Sequence, residues 1–289
     1  MHVNHINLKL DRVRQFCINE KVDEVYMRSL IRRDFLGGEN AMKTDRRQVN
    51  RKKVLQYIIF ALILLIFQKM SVMAGKYVAD LFSYEKLDPY NAYAWNFLHH
   101  ITMLVIGLFA VLILRKPLKV GFGLGLGDRK TGTRFVVRYT AVLAGVSLIV
   151  HILMKISNSL PVYAFPLNTS NIVGTLCFQL FLTGPAEELL YRALPITILV
   201  RFFGENAKFK WGITLENIIA AFLFAVAHMK WSLFPLSIEA NWFQLVYAFA
   251  QGIISGKAYQ DSGSVIYPMM MHSISNVLMV GTGYLLLFL

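Results

Sequence analysis

The chain has 289 residues, 56% of them hydrophobic and 16% charged, with a mean hydropathy of +0.49, whereas soluble domains carry about 25% charged residues. The formal net charge of +13 would suit nucleic acid, but the Lys and Arg residues stand between hydrophobic segments, which argues for membrane topology and against a nucleic-acid partner. Two cysteines, Cys17 in a polar stretch and Cys177 inside an apolar one, exclude a disulfide framework and a Cys-based zinc site; Cys177 is expected to be a buried small hydrophobe.

Residues 1–53 are charged and mixed in sign, with a weak helical pattern from Leu8 to Leu36 and a Gly37-Gly38 break. They read as a basic cytoplasmic extension, because Lys43, Arg46, Arg47, Arg51, Lys52 and Lys53 immediately precede the first apolar run and hold that end inside. Such a segment can also touch anionic headgroups. The stretch from Met42 resembles the start of a membrane protein, so residues 1–41 are expected to be dispensable. The first apolar run is too long for a signal-peptide core and lacks a cleavage site, and is expected to remain as an anchor.

Hydrophobic segments follow at 54–74, 92–114, 135–157, 168–203, 213–234, 242–259 and 265–289. A helix needs about 20 residues to cross a hydrocarbon core, so the expected fold is all-α, a multi-pass transmembrane bundle of about seven spans. Basic loops at Arg115 to Arg134 and at Arg201 to Lys210 agree with a cytoplasmic N-terminus. The loop Gly121-Phe-Gly-Leu-Gly-Leu-Gly127 matches neither a dinucleotide fingerprint nor a P-loop, and reads as a flexible or strand-like connector. Three regions are expected: the extension 1–53, N-terminal transmembrane helices 54–119, and a domain 120–289.

Ionisable side chains inside a span are functional candidates by default, because burying charge in lipid is costly. Gly184-Pro-Ala-Glu187-Glu188-Leu-Leu-Tyr-Arg192 comes first. Pro185 suits the first turn of a new helix, whose dipole would favour the carboxylates. Glu188 and Arg192, four apart, share a face and neutralise each other, while Glu187 projects about 100° away and is free to face a cavity. A structural ion pair is the alternative reading. Phe224-Ala-Val-Ala-His228 sets an aromatic ring one turn from a histidine, a weak signal alone. His272-Ser-Ile-Ser-Asn276 puts two donors on one face, as an oxyanion requires, although interhelical hydrogen bonding explains it equally. His99, His100 and His151 lack a companion motif and read as packing or interfacial residues. Together the three motifs supply an unpaired carboxylate, two imidazoles and an amide, a set able to activate water and hold developing negative charge.

These three motifs, in this order, resemble those of the CPBP family of intramembrane peptidases, also called the Abi or CaaX-protease and bacteriocin-processing family: Glu-Glu-x-x-x-Arg, Phe-x-x-x-His and His-x-x-x-Asn. The resemblance covers roughly residues 120–289. It implies that Glu187 activates water with help from His228, that His272 and Asn276 form the oxyanion hole, and that Glu188, Arg192 and Phe224 support them. Ala193, where relatives often carry Gly, is expected to affect packing only. Burial would make a glutamate a better base than it is in water. A zinc set of Glu187, His228 and His272 is the alternative, but no His-Glu-x-x-His is present, and the metal-free glutamate mechanism is favoured.

With alternating spans, His228 and His272 lie toward opposite ends of their helices, about 10 Å apart along the membrane normal at 1.5 Å per residue, and tilt or a broken fourth segment must absorb that. The expected partners are membrane lipids and a peptide or membrane-protein substrate. Bacterial relatives are associated with bacteriocin maturation or self-immunity and with peptide signalling, eukaryotic ones with prenylated CaaX proteins. A non-catalytic membrane adaptor or self-immunity protein is the alternative function. A transporter is a third, without an inverted repeat to support it.

Overall fold

The computed structural model describes residues 39–204, 209–233 and 236–289, with side chains over 51–204, 209–229 and 239–289. The pattern from Leu8 to Leu36, the Gly37-Gly38 break and Cys17 lie outside the described residues. The chain divides into Met1–Gln56 and Tyr57–Leu289. The first unit is helical from Glu39 onward.

Each hydrophobic segment of the sequence falls on a helical run: α1 (Glu39–Asp80), α2 (Ala94–Leu118), α3 (Arg129–Ile156), a rod from Thr169 to Phe203, α7 (Leu215–Ala227), α8 (Trp242–Ser262) and α9 (Ile266–Phe288). The protein is an all-α membrane bundle. Four stretches, Arg51–Asp80, Ala94–Leu118, Arg129–Ile156 and Ile266–Phe288, are long and apolar enough to cross a membrane. The other three runs of the expected seven depart from that standard for different reasons. The rod is interrupted, α7 has only 13 residues, and α8 carries Gln244, Gln251, Lys257, Gln260 and Asp261.

Residue spacing explains which faces meet. On α2, His100, Met103, Gly107 and Val111 are buried, three to four apart, as one stripe of a helix must be. The opposite side exposes Val105, Phe109 and Leu112, apolar side chains that water would penalise and hydrocarbon accepts. Asp128 caps α3 by accepting from the Thr131 N–H at 3.1 Å, which satisfies an otherwise orphaned donor.

The rod is built from α4 (Thr169–Phe178), a π turn at Gln179–Thr183, α5 (Gly184–Glu188), a second π turn at Leu189–Ala193 and α6 (Leu194–Phe203). The expected helix start at Pro185 is therefore corrected: Thr183 is already helical, at φ −61° and ψ −54°. A π turn immediately before the proline widens the helix where the pyrrolidine ring would clash and where its missing N–H breaks the ladder. Around the second π turn Leu189, Leu190, Tyr191, Arg192 and Ala193 are all buried, and the main core gathers here with Met103, Val111 and Phe224.

Two further expectations are revised. The glycine loop is not a strand; it is tied by hydrogen bonds to the turn between α8 and α9. The Val265 N–H donates to the Gly123 carbonyl at 2.9 Å, the Asp128 N–H to the Ser262 carbonyl at 2.7 Å, and the Tyr267 hydroxyl to the Leu126 carbonyl at 2.8 Å. Gly127, at φ +50°, approaches the Ser262 carbonyl so closely that a Cβ would overlap it. The apolar run at 213–234 does not continue as helix beyond Ala227, and a small antiparallel hairpin follows, β1 (Lys230–Leu233) and β2 (Leu236–Glu239). Cys177 is partly rather than fully buried.

Candidate active site

The two neighbouring glutamates of α5 have opposite surroundings. Glu188 and Arg192 are both fully buried, with Arg192 Nε 3.1 Å from Glu188 Oε2. The guanidinium carbon lies 3.7 Å from the centre of the Phe224 ring, a cation on a π face. His272 Nδ1 donates to Glu188 Oε1 at 2.7 Å. One carboxylate is thus consumed by an imidazole and by a cation that itself lies on an aromatic face, and that cluster joins the rod, α7 and α9.

Glu187 faces elsewhere, as a step of about 100° along the helix requires. Its side chain is 17% exposed and lines a cavity of about 180 Å³ together with His228, Phe224, Tyr191, His99 and His100. His228 caps α7, and its Nδ1 lies 2.9 Å from the Phe224 carbonyl. A carbonyl only accepts, so Nδ1 carries the proton and Nε2 of the neutral ring is an acceptor. His272 Nε2 stands 3.8 Å from Glu187 Oε2. The Phe224 ring stands 4.5 Å from the His228 ring and 5.9 Å from the His272 ring, edge-on to both. The two histidines anticipated at opposite ends of their helices thus both stand against one aromatic side chain.

Asn276 is not among the residues lining the cavity, and neither is His272. It lies one turn beyond His272 and its Nδ2 donates to Gln179 Oε1 at 2.9 Å, which also accepts from the Thr183 hydroxyl at 3.0 Å. Among the described residues no group of three His, Cys, Asp or Glu side chains stands at metal-holding spacing.

Sequence reasoning missed His99 and His100. Both line the cavity, and His100 Nε2 is 3.4 Å from Glu187 Oε1, so packing alone does not describe His100. Its polarity inside an apolar helix was the available signal. His151 keeps a packing role: it is buried, with Nδ1 2.8 Å from the Ser147 carbonyl.

The family model described as Type II CAAX prenyl endopeptidase Rce1-like matches residues 169–278. This stretch is an Rce1-like region. It is similar to the CaaX-protease family whose motifs were quoted above, and it contains all three of them. The Rce1-like region begins with the rod and ends within α9, so α2 with His99 and His100 lies before it. No curated protein and no solved structure matches the chain.

Proposed function

We propose that the protein is an intramembrane endopeptidase of CaaX-protease type that hydrolyses peptide bonds with a water activated by Glu187. The observation that carries this reading is the division of labour between adjacent carboxylates. Glu188 is neutralised by Arg192, while Glu187 opens on a cavity beside His228. Glu187 takes a proton from water as the hydroxyl oxygen attacks the scissile carbonyl carbon. His228 Nε2, an acceptor because Nδ1 is committed to Phe224, orients that water.

The tetrahedral oxyanion is received by His272, with Asn276 a turn away, and the proton then passes to the leaving amine. With Nδ1 donating to Glu188, His272 can donate from Nε2 only when both ring nitrogens carry protons. In this reading no metal takes part. The substrate class is a peptide at the membrane, a prenylated C-terminus being the form suggested by the name of the matched family. The protein would sit in the cell membrane with its basic N-terminal extension in the cytoplasm.

The test uses full-length protein in nanodiscs and an internally quenched peptide ending in farnesyl-cysteine and three further residues, with products identified by mass. Glu187→Gln and His228→Ala should each lower the rate by about 10²- to 10⁴-fold, the usual worth of a general base. A zinc chelator should leave the wild-type rate unchanged. Wild-type rates in both variants would defeat the peptidase reading and favour the adaptor. Loss of activity to chelation would defeat the metal-free mechanism alone.

A further inference from the structure

His100 stands on α2, outside the Rce1-like region, and is 9% exposed. Two kinds of contact fix its ring. Nδ1 lies 3.0 Å from the Asn96 carbonyl, one turn back on the same helix. The rings of Phe178 and His99 stand edge-on to it, with centroids 4.8 and 4.9 Å away. The carbonyl can only accept, so the Nδ1 proton is spoken for and the ring cannot flip without losing that bond. Nε2 is then aimed at Glu187 Oε1, 3.4 Å away. That is long for a hydrogen bond, as bonds in ligand-free active sites often are.

Oε1 and Oε2 of Glu187 have different neighbours. Oε1 faces His100 on α2, and Oε2 faces His272 on α9 at 3.8 Å. A carboxylate on a long side chain has several rotamers, and ordering one of them costs entropy at the moment of reaction unless the protein has already done so.

We infer that His100 is a positioning residue for Glu187: it holds one carboxylate oxygen so that the other is left to take the proton from water. This rests on the glutamate-base reading, and it makes α2, which the family match does not reach, a working part of the site. His100 acts by offering a hydrogen at Nε2, which, with Nδ1 already donating to the Asn96 carbonyl, requires both ring nitrogens to carry protons. A glutamine, whose amide nitrogen reaches about as far as Nε2 from the backbone, can replace it, whereas the shorter asparagine and the apolar leucine cannot.

The test compares His100→Gln, His100→Asn and His100→Leu in the full-length protein with the farnesylated quenched peptide, reading kcat, KM and melting temperature separately. His100→Leu and His100→Asn should lose kcat by about 10- to 100-fold, the scale of a misplaced catalytic group, with KM unchanged. His100→Gln should restore most of kcat. If the loss follows melting temperature, or if glutamine is no better than asparagine, His100 is only packing and the inference is overturned. Glu187→Gln assayed alongside reports on the parent reading alone.

A second readout needs no substrate. In protein labelled with nitrogen-15 histidine, the Nε2 resonance of His100, identified by its absence from His100→Gln, should shift when Glu187 is changed to Gln. An unmoved resonance overturns the inference even if the peptide proves to be no substrate.

Discussion

At the scale of single residues, the pairing of Glu188 with Arg192 dominates the energetics of the site. Both are shut off from solvent, and the Arg192 Nη atoms make no hydrogen bond among the described residues. Taking a charge out of water is repaid only by its partner, so removing one member of such a pair typically costs about 3–5 kcal/mol, more than removing both. Arg192→Met should therefore lower stability by that order in a detergent melt. The double variant Arg192→Met with Glu188→Gln should recover part of it, and a double variant no better than the single one would contradict this account. The pair was legible in the sequence because a spacing of four on a helix is a local rule. The contact of His100 with Glu187 was not, since the two are 87 residues apart and nothing in either neighbourhood encodes which helices become neighbours.

At the scale of elements, the close approach of α5 and α9 sets the geometry of the site. A Cβ on Gly184 would overlap the Met269 carbonyl and the Ser273 hydroxyl, so only glycine lets the two helices meet there. His272 is one turn beyond Met269, and Glu187 and Glu188 follow Gly184 within four residues. Gly184→Ala must therefore separate the helices. The expected result is a destabilisation of about 1–3 kcal/mol, as for other overpacked interiors, together with a loss of cleavage that exceeds the loss of folded protein. Positions of the helices were readable from apolar run lengths, but the manner in which the rod passes Pro185 was not. A proline next to Gly184 gives the same signal for a helix start as for a π turn, and only the packing of both flanks against the core decides between them.

At the scale of the whole molecule, the family match begins at Thr169, yet the cavity draws a wall from α2 through His99, His100 and Met103. A chain reduced to residues 120–289 keeps every motif and loses that wall. It should be inactive on the quenched peptide and melt well below the full-length protein, whereas removal of residues 1–41 should change neither property. Activity in the shorter chain would mean that α2 contributes only bulk. The sequence made the bundle legible through its runs of apolar residues, which must meet lipid wherever they are not packed. Membership of α2 in the site was hidden for the opposite reason: a helix facing lipid on one side and a cavity on the other differs by only a few polar positions from one that faces lipid and core.

The wide turn at Leu189–Ala193 also gives the chain a place to absorb a change of length. An α turn over the same span holds one residue fewer, so a single deletion here can close the wide turn and leave α6 where it stands. Glu188 and its arginine would then be three apart instead of four, still on one face of the helix. The same codon lost from an unbroken helix would turn everything downstream by about 100°.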